Sequence, residues 1–387
     1  MTAHTGKPCR IVTPYDAIRQ VVNATYVHAC DSGACSTAEG MGRASRTAKI
    51  ADATIVIAGL NMSVERESND REDLLLPWNQ SSWINAVAEA STTPIVLVIM
   101  SAGGVDVSFA QNNTKIGAIV WAGYPGEEGG TAIADVLFGK YNPGMHICSS
   151  NLGNADHFYC IRIMMLYVSQ TLLGSSQTGG RLPLTWFKNE YVNQIPMTSM
   201  ALRPDAAHGY PGRTYKFYGG PAVLYPFGHG LSYTSFTYAS GTTGATVTIP
   251  IGAWEHCKML TYKSGKAPSP SPACPALNVA SHRCDEVVSF SLRVANTGGV
   301  GGDHVVPVYT APPPEVGDAP RKQLVEFRRV FVPAGAAVDV PFALNVCKTF
   351  AIVEETAYTV VPSGVSTVIV GDDALALSFA VTINLAV

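Results

Sequence analysis

One short stretch of the sequence concentrates the side chains best suited to acid–base chemistry. It contains five carboxylates and two arginines, namely Glu65, Arg66, Glu67, Asp70, Arg71, Glu72 and Asp73. A carboxyl group can donate or accept a proton during a reaction, and an arginine can hold a neighbouring carboxylate in place. A solvated, salt-bridged surface loop is the alternative, because mixed charge runs usually cover surfaces. The spacing of the charges leaves both interpretations open.

The residues before this stretch indicate where it lies in the fold. The run from Ala53 to Ala58 is apolar and rich in β-branched residues, and no polar residue alternates into it. Such a run is typical of a buried strand in a parallel sheet. The charged loop therefore begins at the carboxyl end of a strand, which is the edge where open α/β sheets bind ligands.

Further strands and helices follow in alternation. The sequence predicts buried strands over 94–100 and 116–124, with helices between them, and Ser81 as the cap of a helix over 82–90. Strands separated by helices favour a doubly wound, mostly parallel sheet with helices on both faces. From about residue 238 the pattern changes to alternating strands and turns, which predicts an all-β sandwich. We therefore divide the chain into residues 1–237 and 238–387.

Composition narrows the classes of partner. The chain has 387 residues, 47% of them hydrophobic, and a net charge of -3, so neither nucleic acid nor an anionic membrane is an expected partner. Nine cysteines are scattered without zinc-site spacing, and a metal site is not predicted. Cys30 and Cys35 could close a short disulfide. The Gly-rich loop at 126–130 lacks the Walker lysine, so no nucleotide cofactor is expected.

Several conspicuous residues have simpler explanations. His208 and His229 flank glycine-rich turns and are expected to be structural hydrogen-bonding groups. Trp121 and Trp186 end predicted strands, where core packing is favoured over stacking on a ligand. The amino terminus has no apolar h-region, so no signal peptide is predicted in this chain. Four glycosylation sequons begin at residues that would carry glycans in a secreted protein, namely Asn23, Asn61, Asn79 and Asn112.

Three motifs resemble glycoside hydrolase family 3, particularly its plant β-D-xylosidase and α-L-arabinofuranosidase branch. The first is the charged loop, Glu65-x-Glu67-x-x-Asp70-Arg71-x-x-Leu74-x-Leu76-Pro77. The other two are His208-Gly209-Tyr210-Pro211-Gly212-Arg213-Thr214-Tyr215-Lys216-Phe217-Tyr218 and Leu224-Tyr225-Pro226-Phe227-Gly228-His229-Gly230-Leu231-Ser232-Tyr233. The resemblance covers the chain except residues 145–179, which look like an atypical insertion.

This resemblance implies an α/β sandwich domain followed by a fibronectin type III-like domain. It also implies a retaining hydrolase that removes terminal β-xylosyl, and also α-arabinofuranosyl, residues from xylo- or arabino-oligosaccharides without a cofactor. Its nucleophile would be an aspartate of a barrel domain that is missing from this chain, and Glu65 would be the general acid/base, with Glu67 as the alternative. The chain alone is then expected to be inactive, and the protein to be extracellular. The rival interpretation is a non-catalytic carbohydrate-binding or interaction protein related to such an enzyme.

Overall fold

The computed structural model describes residues 9–30, 38–140, 181–230, 232, 234–282, 284–372 and 375–386. The chain divides into two compact units, Met1–Ser199 with Gly220–Tyr233, and Met200–Gly219 with Thr234–Val387. The predicted domain border at 237/238 stays a prediction. The insertion at 145–179 lies outside the described residues, as does Cys35, the predicted partner of the disulfide-bonded Cys30.

The first unit contains a parallel sheet between helices. Its sheet has the order β1-β2-β3, and both pairings are parallel, as predicted. The strands of this unit are β1 Ile55–Gly59, β2 Ile95–Met100, β3 Ile116–Trp121, β4 Trp186–Phe187 and β5 Val223–Tyr225. The helices are α1 Pro14–Ile18, α2 Ala38–Ile50, α3 Gln80–Ala90, α4 Ser108–Gln111, α5 Gly129–Leu137 and α6 Tyr191–Gln194.

Alternate side chains of β2 pack against different helices. Leu97 and Ile99 share a core with Ile84 of α3, whereas Val98 shares one with Ile133 of α5. Because successive side chains of a strand point to opposite faces, these two cores lie on opposite faces of the sheet. The prediction of helices on both faces is confirmed.

Some predictions for this unit were wrong. Ser81 lies inside α3 rather than at its cap, because the helix begins one residue earlier, at Gln80, with Asn79 at the N-cap position. Ile57 is 40% exposed, since β1 is an outer strand of the described sheet. The short β4 and β5 pair antiparallel rather than joining the parallel sheet.

The second unit is a β-sandwich, as predicted. One sheet has the order β13-β10-β6 and the other β12-β11-β16-β17-β7, in which only the β17–β7 pairing is parallel. A smaller sheet has the order β14-β15-β9-β8. The strands are β6 Phe236–Ala239, β7 Gly244–Pro250, β8 Cys257–Lys258, β9 Ala276–Asn278, β10 Val287–Asn296, β11 Gly302–Ala311, β12 Gln323–Val332, β13 Ala337–Asn345, β14 Ile352–Val353, β15 Thr359–Pro362, β16 Gly364–Val370 and β17 Leu377–Ala386.

Alternate side chains of the long strands are buried and form the core of the sandwich. Phe290 and Leu292 of β10 are buried in the same cluster as Val308 of β11 and Val381 of β17. Two short helices, α7 Thr214–Phe217 and α8 Val346–Thr349, complete this unit.

The segment Met200–Gly219 belongs to the second unit although it precedes the sandwich in sequence. Arg203 donates to the carbonyl oxygens of Asp318 (2.6 Å) and Val353 (2.5 Å). The hydroxyl of Tyr215 accepts a hydrogen bond from the amide of Leu324 at 3.0 Å. The motif around His208 therefore attaches this segment to the sandwich.

Candidate active site

The charged loop is anchored where it leaves β1. Gly59 has φ +146°, and a Cβ there would collide with the backbone of Met100, so the close approach of the two strands requires glycine. The side chain of Gln80 bonds both the amide (3.0 Å) and the carbonyl (2.9 Å) of Gly59. The start of the loop is thereby tied to the first turn of α3.

The far end of the loop is anchored at Leu74. Its amide donates to Oδ1 of Asn189 at 2.8 Å, and its carbonyl accepts from the amide of Asp106 at 2.6 Å. Oδ2 of Asp106 in turn accepts from the amide of Asn189 at 2.7 Å. With both ends fixed, the residues between them have a limited range of conformations.

Glu65 lies at the centre of the loop and is enclosed by donors. Its Oε1 accepts from the amide of Ala102 at 2.9 Å and from the hydroxyl of Tyr124 at 2.5 Å. Its Oε2 lies 2.9 Å from Nε of Arg71. Only 16% of the Glu65 side chain and 10% of the Arg71 side chain are exposed. Glu65 therefore joins the loops that follow β1, β2 and β3 at the carboxyl edge of the sheet.

Glu67 has a different environment. Arg66 and Asn69 exchange backbone hydrogen bonds of 3.0 and 2.9 Å, which close a two-residue turn with Glu67 and Ser68 at its tip. Ser68 has φ +63°, the positive φ that a type II turn has at its second central residue. Glu67 is exposed at this tip, so its carboxyl group is accessible to a ligand.

Tyr124 is the residue that sequence reasoning missed. It follows β3, and its hydroxyl reaches Glu65 across 59 positions of sequence. Desolvation of the hydroxyl, its hydrogen bond to Glu65 and the charge of Glu65 all raise the pKa of Tyr124, which therefore remains a donor at neutral pH. The signal available in the sequence was its place beside Gly123 after a buried strand, the same edge where the charged loop begins.

The tryptophans and histidines have structural roles. Trp121 and Trp186 are buried at 3% and 2% exposure and pack edge to face, with ring centroids 5.8 Å apart. His229 stacks on Tyr225 at 5.3 Å, and His208 lies 2.7 Å from Asp205. Within the part of the chain that the structure describes, no cluster of His, Cys, Asp or Glu is suited to a metal ion. None of the helices described is both long and apolar enough to cross a membrane.

Comparison with known proteins decides the family. Residues 2–151 match the glycosyl hydrolase family 3 C-terminal domain, and residues 304–374 match a fibronectin type III-like domain. The chain carries the C-terminal portion of a family 3 glycosyl hydrolase. Both domains are those that the sequence motifs predicted, in the predicted order.

Two relatives of this family 3 chain are plant proteins. It is 34% identical over 370 residues to beta-xylosidase/alpha-L-arabinofuranosidase 2 of Medicago sativa subsp. varia, covering 95% of this chain and 41% of that protein. It is 35% identical to beta-D-xylosidase 1 of Arabidopsis thaliana, covering 95% of this chain and 42% of that protein. The chain thus spans about two fifths of the length of these relatives.

A solved structure shares the fold. A GH3 exo-beta-xylosidase in complex with a xylobiose aziridine activity-based probe superposes with a TM-score of 0.72 at 25% sequence identity. The match covers 98% of this family 3 chain and 42% of the other. The α/β unit and the sandwich are therefore the fold of the family's C-terminal portion.

Proposed function

We propose that the chain supplies the acid/base loop of a retaining glycosidase that removes terminal β-xylosyl, or α-arabinofuranosyl, residues from cell-wall xylan oligosaccharides. The relatives named as xylosidases support the substrate class. The anchored loop, with an exposed carboxyl group at the carboxyl edge of the sheet, supports the role in catalysis. No cofactor takes part in this proposal.

The proposal assigns the acid/base role to Glu67 and keeps Glu65, the residue that the sequence resemblance favoured, as the alternative. A general acid must present its O–H to the leaving oxygen of the substrate. One carboxyl oxygen of Glu65 accepts hydrogen bonds from Ala102 and Tyr124, the other is paired with Arg71, and its side chain is mostly covered. Glu67 is exposed at the tip of a turn, and this difference in exposure between the two residues is the observation that carries the assignment.

The reaction then proceeds in two steps. Glu67 gives its proton to the glycosidic oxygen while a nucleophilic carboxylate forms a bond to the anomeric carbon and the leaving group departs. Glu67, now ionised, next takes a proton from water, whose oxygen attacks the same carbon and releases the nucleophile. By family resemblance, the nucleophile belongs to a barrel domain, which we propose as the partner of this chain.

A chimera tests the assignment. The chain is joined behind the N-terminal region of the Medicago relative, and hydrolysis of aryl β-xylosides with good and poor leaving groups is measured. Glu67→Ala should slow the poor leaving groups by about 10²- to 10⁴-fold and the activated ones far less, because only the former need protonation. Glu65→Ala should affect both classes of substrate alike.

Two controls accompany this experiment, and two outcomes would contradict the proposal. Circular dichroism establishes that each chimera is folded, and a folded but inactive parent chimera would overturn the glycosidase proposal in favour of carbohydrate binding without turnover. The reverse pattern of the two alanine variants would return the acid role to Glu65. The 387-residue chain alone should release no pentose, because general acid assistance by itself contributes too little to replace a nucleophile.

We further propose that the protein passes through the secretory pathway. All four sequon asparagines are exposed, which is a requirement for glycan attachment: Asn23, Asn61, Asn79 and Asn112. Expression with a secretion signal in plant cells should give a product whose electrophoretic mobility changes after enzymatic removal of N-glycans. An unchanged mobility would remove this support for an extracellular protein.

A further inference from the structure

Tyr124 is fixed at its hydroxyl although about half of the residue is exposed. Its hydroxyl is held at 2.5 Å by Glu65, yet 48% of the residue is exposed. Large exposed side chains are common on protein surfaces and need no explanation when they are isolated. A half-exposed ring whose polar end is fixed to a covered carboxylate is different, because its orientation is set before any ligand arrives.

The group that holds Tyr124 is itself fixed. Glu65 is bonded to the amide of Ala102 and to Arg71, whose guanidinium also donates to the carbonyl of Gly104 at 3.2 Å. Loops from three strands therefore determine where the phenol ring lies. Since a tyrosine side chain has few rotatable bonds, fixing its hydroxyl leaves the ring little freedom.

A fixed aromatic ring beside a carboxyl group suits a saccharide. The C–H faces of a pyranose are apolar and can lie against an aromatic ring, while its hydroxyl groups remain available to polar side chains. Tyr124 lies at the carboxyl edge of the sheet, the same edge as the loop that carries Glu67. The tryptophans of this unit that were candidates for such stacking, Trp121 and Trp186, are buried and unavailable.

We propose that Tyr124 is a substrate-contacting residue, a preoriented platform on which a pyranose ring of the xylo-oligosaccharide stacks, with Glu65 and Arg71 as its positioning residues. This inference rests on the proposed function for the identity of the sugar. It gives Glu65 a role that does not require proton transfer to the substrate.

Binding to the 387-residue chain tests the platform directly. Xylotetraose is titrated into the isotope-labelled protein, and its dissociation constant is obtained from NMR shift changes. Tyr124→Ala should weaken binding roughly tenfold, which corresponds to about 1.4 kcal/mol of lost contact. Tyr124→Phe keeps the ring but loses the hydrogen bond, so it should weaken binding by only about 2- to 3-fold, the cost of a less fixed ring.

Tyr26 provides the matched control. It is a more exposed tyrosine of the same unit, at 62%, and lies in the segment before α2. Tyr26→Ala should bind xylotetraose as the parent does. Unaltered binding by Tyr124→Ala, an equal loss with Tyr26→Ala, or no binding by the parent chain would overturn the proposal.

Hydrogen exchange tests the positioning part. The amide of Ala102 donates to Glu65, so Tyr124→Phe should speed its exchange by several fold, while amides of β2 such as that of Leu97 exchange as before. Unchanged exchange at Ala102 would show that Tyr124 is not linked to Glu65 in this way. If the chimera is inactive but xylotetraose binding depends on Tyr124, only the glycosidase proposal is contradicted. If the chimera is active and Tyr124→Ala changes neither its activity nor its binding, only this inference is contradicted.

Discussion

The carboxylate of Glu65 and the guanidinium of Arg71 form an ion pair, with Oε2 and Nε 2.9 Å apart and both side chains mostly covered. Between them the chain makes the turn that exposes Glu67. The pair thus closes the base of the loop, while the tip of the loop remains accessible.

Arg71→Ala should therefore destabilise the fold. Removing one partner of a mostly covered ion pair leaves the other charge uncompensated, which costs about 3 kcal/mol of unfolding free energy. Urea denaturation followed by circular dichroism measures this loss. Arg66→Ala is the control, because its exposed side chain bonds only the carbonyl of Met62 among the contacts described here, and its effect should stay within about 0.5 kcal/mol. Similar losses for the two variants would show that the pair contributes little.

Two substitutions in the α/β unit should lower the unfolding free energy by different amounts. Leu97 of β2 is fully buried, so Leu97→Ala should lower the unfolding free energy by about 2–5 kcal/mol through lost contacts and the cavity it leaves. Ile57→Ala in β1 removes a side chain that is 40% exposed and should cost about 1 kcal/mol. Differential scanning calorimetry of both variants provides the comparison. A larger cost at Ile57 would indicate that β1 is covered in solution.

The two disulfides of the sandwich should contribute unequally to its stability. Cys257–Cys274 closes 17 positions of sequence and Cys284–Cys347 closes 63. In the chain-entropy account their removal costs about 3 and 4 kcal/mol respectively, because the longer loop restricts the unfolded chain more. Paired Cys→Ala variants studied by chemical denaturation measure both costs, and Cys9→Ala at a free cysteine should have no effect. The opposite ranking would show that packing around the bridges dominates.

We expect Asp205, through its contact with His208, to make a pH-dependent contribution to stability. The hydrogen bond from His208 lowers the pKa of Asp205 below its ordinary value of 3.8, with the charge of His208 acting in the same direction. Since the folded pKa is the lower one, ionised Asp205 stabilises the fold above its unfolded pKa, and this contribution disappears as the pH falls through the folded pKa. NMR titration of the Asp205 carboxyl should show an upward shift in His208→Ala and none in His256→Ala. The same titration in both variants would contradict the assignment of the cause.

Elements that are buried on a regular period could be assigned as helix or strand from the amino-acid pattern alone. The uninterrupted apolar runs of β2 and β3 predicted a parallel sheet, and the alternation along β10 predicted a sandwich strand, because burial on two faces or one leaves a different pattern of side chains. The motifs around Asp70 and His208 also indicated the family, and both of its matched domains are present.

Contacts between side chains from different loops could be read only from the folded structure. Sequence spacing left Glu65 and Glu67 as alternatives separated by two positions, but Ala102 and Tyr124, contributed by other loops, hydrogen-bond to Glu65 and help to cover it, whereas Glu67 is exposed. Likewise, the segment around Tyr215 belongs to the sandwich through contacts with Leu324 that no local pattern reveals. A hydrogen bond between residues far apart in sequence depends on the order of the strands in the sheet. That order is established only when the whole chain packs.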